Sequence, residues 1–511
     1  MIEEEKQHEN KPWIERPKKV IAEYPHAIIY EVEGEEVPVY YLKQIRSLSA
    51  SEQRIYNEAK EIAVRNIEIK KTDLIKRERL EEIRAKIRDI ILSVAKKYYI
   101  AEDSPVIDRL TEIVYRDIVG LGILDYLVED DELEEIMVIG TGKPVYVFHR
   151  KYGMCKTNIV FHTDEEIINI IRRIAYYVDR RIDQQCPLLD ARLPTGDRVN
   201  ATIPPISLEG PTLTIRKFRR DPYTILDLLE FKTMTPELAA FLWLCVDGLF
   251  AKPANIIVAG GTGSGKTTTL NVLATFIPPW ERVITIEDTA ELQLPIKHWI
   301  REETRPPSLE GSGEVTMDDL VKNALRQRPD RIIVGEIRGP EARTLFVALN
   351  TGHDGGMGTV HANSARETII RLKSPPMNVP PVMLNALNFI IMQHRLLYRG
   401  KHVRRVVEIA ELTGMEGDNP RLNIVYQWDA RTDTVQRTEI PIRYLEVLSE
   451  YTGLTLKQIQ DEIEERREFL LELLELNQRR VNSGERKFSV HEVGKFIQAY
   501  TKIKKRELSK R

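Results

Sequence analysis

The sequence predicts an α/β protein whose largest domain is a parallel sheet flanked by helices. Strand-like apolar segments alternate with helix-like segments through residues 254–352. A glycine-rich turn joins the first of these strands to its helix, at 260–267. Acidic residues directly follow two of the later strands. Such alternation is typical of parallel sheets, because a helix must return the chain to the edge where the next strand starts.

Composition limits the other possibilities. A chain of 511 residues with 42% hydrophobic and 30% charged residues is expected to form a globular protein of two to four domains. The formal charge of −3 gives no overall attraction to nucleic acid. Cys155, Cys186 and Cys245 are far apart in the sequence and form no CxxC pair. Neither a disulfide framework nor a cysteine zinc site is therefore expected.

The sequence predicts a cytoplasmic protein. The N-terminus is acidic and polar, whereas a signal peptide would be basic and then apolar. The longest apolar stretch, 238–250, contains Asp247 and is too short to cross a bilayer, so we expect a core helix there.

The N-terminal half predicts two domains. Between Ser49 and Tyr99 apolar residues recur at helical spacing among alternating acids and bases, which indicates a charged helical domain over 1–103. Residues 104–230 predict an α+β domain with strands near 133–140 and 144–153, an amphipathic helix at 164–182, and hairpin strands around the turn at 196–197. Thr235 and Pro236 predict the start of a new helix.

The parallel-sheet domain is expected over 231–440, with a loop at 305–315. Residues 441–511 predict a helical subdomain, because leucines recur there at helical spacing. The run is too short for sustained heptads, so its apolar stripe predicts core rather than a coiled coil.

The turn GGTGSGKT matches the phosphate-binding pattern GxxxxGK followed by Ser or Thr, with an apolar strand before it and a helix after it. Glycines let backbone N–H groups surround phosphate oxygens at the positive end of the helix. Lys266 would bridge the β- and γ-phosphates and the Thr267 hydroxyl would hold Mg²⁺. The predicted nucleotide-binding residues are Gly260, Gly261, Thr262, Gly263, Ser264, Gly265, Lys266, Thr267 and Thr268.

Three acids are expected to face this turn. Glu287 and Asp288 follow one predicted strand and Glu336 ends another. Side chains at the carboxyl ends of neighbouring parallel strands converge on one crevice. The sequence therefore predicts that these acids reach Mg²⁺ and the attacking water, with one of them as general base.

Four motifs in order resemble the secretion ATPases of type II and type IV systems, which also power pilus and archaellum assembly. They are GGTGSGKT, VITIEDTAEL, RIIVGEIR (with glycine where most NTPases have aspartate) and TGHDGGMGTVHAN. The resemblance covers about residues 105–410 and is closest to the archaeal branch. The chain lacks the four-cysteine insertion of many bacterial type II members. The resemblance implies a RecA-like P-loop ATPase core and a PAS-like domain at 104–230.

By this resemblance, His361 contacts the γ-phosphate or senses its loss, and His353 lies on the same element as a second sensor residue. Metal binding by two histidines and an aspartate among glycines is the alternative. Arg198 and Arg216 are implied to reach the nucleotide, with Arg326 and Arg338 as weaker candidates; salt bridges on a strand surface are the alternative. Glu287 is assigned as the base and Glu336 to the Mg²⁺ site with Asp288, although the two glutamates could exchange roles.

The resemblance implies a hexameric motor that binds ATP and Mg²⁺ and powers protein export or filament assembly. The expected partners are a polytopic membrane platform, which 1–103 would dock to at the cytoplasmic face, and indirectly a pilin-like or secreted cargo. A DNA translocase of a conjugation system is the alternative, and the balanced charge argues against nucleic acid. A scaffold with vestigial hydrolysis is a further alternative.

Overall fold

The computed structural model describes residues 18–43, 48–70, 73, 76–193, 195–219, 221–307 and 312–509. The chain divides into two compact units, the first ending at Arg220 and the second beginning at Asp221. Each unit has its own sheet and its own apolar cores. Residues 1–17 of the predicted N-terminal domain and 308–311 of the predicted loop lie outside the described residues.

The first unit contains a sheet of nine strands: β1 (Lys18–Glu23), β2 (Ala27–Val32), β3 (Val39–Leu42), β4 (Leu133–Val138), β5 (Pro144–His149), β6 (Gly153–Val160), β7 (Leu188–Arg192), β8 (Arg198–Thr202) and β9 (Thr212–Arg216). Their order is β1-β2-β3-β6-β5-β4-β9-β8-β7. Neighbours are antiparallel except β3 and β6, which run parallel. The predicted strands and hairpin of the α+β domain are confirmed.

Helices of this unit are α1 (Ala50–Asn66), α2 (Arg77–Lys96), α3 (Pro105–Val119), α4 (Asp125–Val128) and α5 (Asp164–Tyr177). The predicted helices between Ser49 and Tyr99 are confirmed. Buried residues at four-residue spacing face a shared core, namely Ile55, Ala59 and Ala63 in α1 and Ile83, Ile87 and Ile91 in α2. The charged sequence concealed β1, β2 and β3. Strand β1 is almost entirely exposed and carries two lysines and a glutamate, whereas β2 and β3 are short, largely apolar strands within a charged segment.

The second unit also contains nine strands: β10 (Ile256–Gly260), β11 (Val283–Glu287), β12 (Trp299–Glu303), β13 (Arg331–Ile337), β14 (Met357–His361), β15 (Phe389–Tyr398), β16 (Lys401–Glu416), β17 (Asn419–Asp429) and β18 (Thr434–Arg437). Their order is β12-β11-β13-β14-β10-β15-β16-β17-β18. The first six strands of that order, from β12 to β15, run parallel, which confirms the predicted α/β core. The remaining three strands continue the sheet antiparallel.

Its helices are α6 (Ile225–Glu230), α7 (Pro236–Asp247), α8 (Lys266–Ala274), α9 (Met317–Ala324), α10 (Glu341–Asn350), α11 (Ala365–Lys373), α12 (Arg443–Thr452), α13 (Leu456–Asn482) and α14 (Val490–Leu508). Helix α7 is buried and begins at the N-cap Thr235, as the sequence predicts. The tail helices share one apolar core with α7 and β10. The division into four domains remains a prediction. None of the described helices is both long and apolar enough to cross a membrane.

Candidate active site

The glycine-rich turn links the end of β10 to the start of α8. Gly263 and Gly265 adopt φ angles of 69° and 95°, which residues with a Cβ rarely adopt. Gly265 is the N-cap of α8 and no side chain caps it, so the first N–H groups of the helix remain available at its positive end. This is the backbone arrangement that binds phosphate in P-loop proteins.

Lys266 is half-buried at the first turn of α8. Its Nζ donates to the carbonyl oxygen of Gly261 at 2.9 Å. Burial lowers the pKa of Lys266, and the negative charge of Glu336 opposes that shift. A partly desolvated ammonium group held by one carbonyl gains from an anionic partner, because the anion restores the lost solvation.

The strand order brings three of the predicted motifs to the P-loop edge of the sheet. Gly260 and His361 are paired at the ends of the parallel strands β10 and β14. Glu336 lies near the end of β13 and Glu287 ends β11, which are the second and third strands from β10 on that side. At about 4.8 Å between strands, they are roughly 10 and 14 Å from β10 in the plane of the sheet.

Glu287 is buried at this edge, with 2% of the residue exposed. Its Oε1 accepts hydrogen bonds from the backbone N–H groups of Glu291 (2.8 Å) and Leu292 (3.0 Å). Its Oε2 is buried and has no hydrogen-bond partner among the described residues. Burial raises the pKa of Glu287 to about 7, against the opposing effect of the two N–H donors.

Gly335 makes room for this carboxylate. A Cβ at position 335 would lie 2.8 Å from Cγ of Glu287, closer than the two groups can pack. The glycine in the RIIVGEIR motif is therefore a packing requirement of Glu287 in the neighbouring strand. The glycine is visible in the sequence, but the reason for it is not, because Glu287 lies on the neighbouring strand of the β11–β13 pair.

Asp288 and Glu336 are far more exposed, with 41% and 42% of their side chains accessible. Arg338 forms an ion pair with Asp288 and lies 3.9 Å from Glu336. Arg338, one of the weaker candidates from the sequence, thus joins two of the three predicted Mg²⁺ ligands. Carboxylate oxygens and the Thr267 hydroxyl are suitable ligands for Mg²⁺.

His361 lies at the P-loop edge, and the neighbouring Thr359 ties β14 to β13 by donating its hydroxyl to the carbonyl oxygen of Gly335 at 2.7 Å. His353 does not lie there. It precedes the start of β14, and the length of a five-residue strand, roughly 16 Å, separates the two edges of the sheet. This position argues against the predicted role of His353 as a second sensor. Among the described residues no three acidic, histidine or cysteine side chains form a metal-binding group.

Arg198 and Arg216 lie in the first unit as direct partners on the antiparallel strands β8 and β9. Directly paired residues project from the same face, so both guanidinium groups belong to one surface of that sheet. Arg326 is exposed in a short turn before β13, at the edge away from the P-loop. Participation of Arg198 and Arg216 in the nucleotide site remains a prediction.

Three further residues lie at the P-loop and were not predicted from the sequence. Gln393 Oε1 accepts a hydrogen bond from the Thr269 hydroxyl at 2.6 Å, and Arg404 Nε donates to the carbonyl oxygen of Gly263 at 3.0 Å. Arg395 Nη1 lies 3.8 Å from the position that a Cβ on Gly263 would occupy. All three are on β15 and β16, and the alternating apolar residues at 394–406 were the available signal.

Comparison with known proteins identifies the family. The sequence model of the type II/IV secretion system proteins matches residues 120–441, more than half of the chain. This protein belongs to that family. The family is one of ATPases, and the matched residues include all four motifs.

Two relatives illustrate the breadth of this secretion family. An uncharacterized protein of Methanocaldococcus jannaschii is 35% identical, over 78% of this chain and 78% of its own length. A putative conjugal transfer protein of Mycobacterium tuberculosis is 36% identical, over 53% of this chain and 77% of its own length. The crystal structure of the VirB11 ATPase from the Brucella suis type IV secretion system is 26% identical, covers 56% of this chain and 92% of its own, and has a TM-score of 0.30.

Proposed function

We propose that this secretion-family protein hydrolyses ATP to ADP and phosphate and couples hydrolysis to protein export or filament assembly. The observation that carries the proposal is the joint position of the P-loop and a buried carboxylate of raised pKa. Glu287, with a pKa of about 7, and the GGTGSGKT turn lie at the same edge of one parallel sheet.

Residues Gly260 to Thr268 would hold the phosphates of ATP. The ammonium group of Lys266 would exchange its bond to the Gly261 carbonyl for a phosphate oxygen. Mg²⁺ would be held by Thr267, Asp288 and Glu336, whose oxygens suit it, and it would neutralise charge on the phosphates. Arg338 now neutralises part of the charge of Asp288 and Glu336, so a bound Mg²⁺ would replace some of its contacts with these carboxylates.

Glu287 is proposed as the general base. A base works best when its pKa is near the operating pH, because it is then both deprotonated and able to take a proton. The buried Oε2, with no hydrogen-bond partner in the described part of the chain, is the atom available to accept a proton from water. Glu336 is exposed and lies closer to β10, which suits the Mg²⁺ assignment.

We propose that His361 senses the terminal phosphate. Arg198 and Arg216 are proposed to stabilise the charge on its oxygens. His361 ends the strand beside β10, so its ring is placed to detect phosphate at the P-loop. The two paired arginines present two positive charges on one face of the first unit, a suitable surface for charge on phosphoryl oxygens.

The proposed motor is a homo-hexamer that acts on a polytopic membrane platform from the cytoplasmic face. Closed cyclic symmetry suits a ring, and ATP must favour one arrangement of the units more than ADP does for hydrolysis to produce motion. Residues 1–103 are the proposed docking region, and the cargo is a pilin-like or secreted protein.

A DNA translocase is the second candidate, because a relative is described as a putative conjugal transfer protein. The formal charge of −3 argues against it. Stimulation of ATP hydrolysis by DNA at physiological salt would favour this candidate over protein export.

The decisive experiment measures phosphate release and nucleotide affinity in full-length protein with Mg²⁺ present. We expect wild type to hydrolyse ATP and Lys266→Ala to lose nucleotide binding. Wild-type protein without ATP hydrolysis in any oligomeric state would refute the proposed function. Co-purification with a polytopic membrane protein from detergent-solubilised membranes would test the platform separately.

A further inference from the structure

The hairpin of β15 and β16 extends past the end of the P-loop strand. Parallel pairing between β10 and β15 ends at Ala259 and Met392, whereas β15 continues to Tyr398. The backbone oxygen of Gln393 would lie 2.1 Å from a Cβ at Gly260, so the hairpin packs directly against the P-loop. The side chains that directly follow Gln393 on the hairpin therefore lie beside the phosphate-binding turn.

The hairpin carries two arginines there. Arg395 and Arg404 are direct partners across the antiparallel pair of β15 and β16, so their side chains project from the same face. Arg404 donates to the Gly263 carbonyl, and Arg395 Nη1 lies within 4 Å of the Cβ position of the same residue. Both positive charges thus converge on Gly263.

The charges of this pair are not balanced in the part of the chain that the structure describes, where no carboxylate lies within ion-pair distance of either guanidinium group. The adjacent Arg405 shows the contrast. It is buried, and its Nε and Nη2 donate hydrogen bonds to the two carboxylate oxygens of Asp433, at 2.8 and 2.9 Å. Like charges placed directly opposite each other destabilise a strand pair, and a bound anion would remove that cost.

We propose that Arg395 and Arg404 form a second cationic wall of the nucleotide site. They bind the phosphates that ATP and ADP share. This inference rests on the proposed function and extends it, because it adds binding residues on the flank of β10 opposite the acids. Glu287, Glu336 and His361 all lie on the β14 side, so the terminal phosphate of a bound ATP would face that side and the retained phosphates would face the hairpin.

The expected signature is loss of affinity without loss of chemistry. An interaction made equally with ATP and ADP contributes uniform binding, which raises KM when removed and leaves kcat unchanged. Loss of one charge-assisted hydrogen bond to phosphate is expected to weaken binding about tenfold. Removal of one of two facing positive charges is not expected to lower the melting temperature without nucleotide.

The test compares full-length Arg395→Ala and Arg404→Ala with Lys401→Ala, which removes an exposed positive charge elsewhere on the same hairpin. Dissociation constants for ADP and for the non-hydrolysable analogue AMP-PNP are measured with melting temperatures of the nucleotide-free proteins. We expect each arginine variant to bind both nucleotides about tenfold more weakly and Lys401→Ala to stay within twofold.

Other outcomes would overturn the inference in distinct ways. Unchanged affinities in both arginine variants, with binding lost in Lys266→Ala, would refute the wall and leave the proposed function intact. A loss confined to AMP-PNP would refute the assignment to the shared phosphates. Arg404→Ala could instead lower the melting temperature and leave affinity unchanged, with Arg404→Lys restoring the melting temperature. That result would show that Arg404 only stabilises the loop. Wild type that binds neither nucleotide would remove the proposed function itself.

Discussion

The two flanks of β10 differ in charge and in exposure to solvent. On the β14 side lies Glu287, which is buried and has a pKa raised to about 7. On the β15 side lie Arg395 and Arg404, which are exposed. A base needs desolvation to raise its pKa, whereas an arginine keeps its charge in water and can reach a ligand there. The buried flank is therefore suited to proton transfer, and the exposed flank is suited to binding an anionic ligand.

The largest expected effect tests the buried flank. Glu287→Gln keeps the shape of the side chain but cannot take up a proton, so kcat should fall by about 10² to 10³ while ADP affinity changes less than about threefold. Single-turnover hydrolysis and ADP titration measure the two quantities. Glu314→Gln, at an exposed loop position, is the matched charge control. An unchanged kcat would transfer the role of base to Glu336.

The next effect tests the packing of Gly335 against Glu287. Gly335→Ala should displace the carboxylate, because its Cβ would lie 2.8 Å from Cγ of Glu287, and should lower kcat about tenfold or more. In a Glu287→Gln background the same change should add little. Additive losses in the double variant would show that Gly335 acts independently of the carboxylate.

A pH effect on stability follows from the same burial. The pKa of Glu287 is about 7 in the folded protein and 4.5 ordinarily, so folding favours the protonated form and wild type loses stability as pH rises through that window. Glu287→Gln avoids this loss, which is about 3 kcal/mol at most. Its melting temperature should exceed that of wild type at pH 8 and match it near pH 4. Equal melting temperatures at both pH values would contradict the raised pKa.

The smallest expected effect is at His353, which lies at the opposite edge of the sheet from His361. His361→Ala should lower kcat more than tenfold, because this ring ends the strand beside β10. His353→Ala should leave kcat within about twofold, since the residue lies at the other edge, roughly a strand length away. Phosphate-release assays on both variants measure this, and a large loss in His353→Ala would contradict the placement.

Local signals made much of the fold predictable. The glycines of GGTGSGKT, the cap at Thr235 and the apolar run of α7 each specify a local conformation through residues that are close together in the chain. Strands β1 to β3 were not predictable in the same way. Strand β1 is charged and exposed, β2 and β3 are short, and the parallel pairing of β3 with the distant β6 is not visible in the local sequence.

The sequence by itself determined the phosphate-binding turn, the alternating α/β core and the order of the four motifs, because each depends on residues close together in the chain. Only the tertiary structure decided which residues meet across strands. It set Glu287 against Gly335, joined Arg338 to Asp288, placed His353 at the far edge and brought Arg395 and Arg404 to Gly263. The physical reason is strand order, since pairing between distant segments fixes neighbours that no local pattern records.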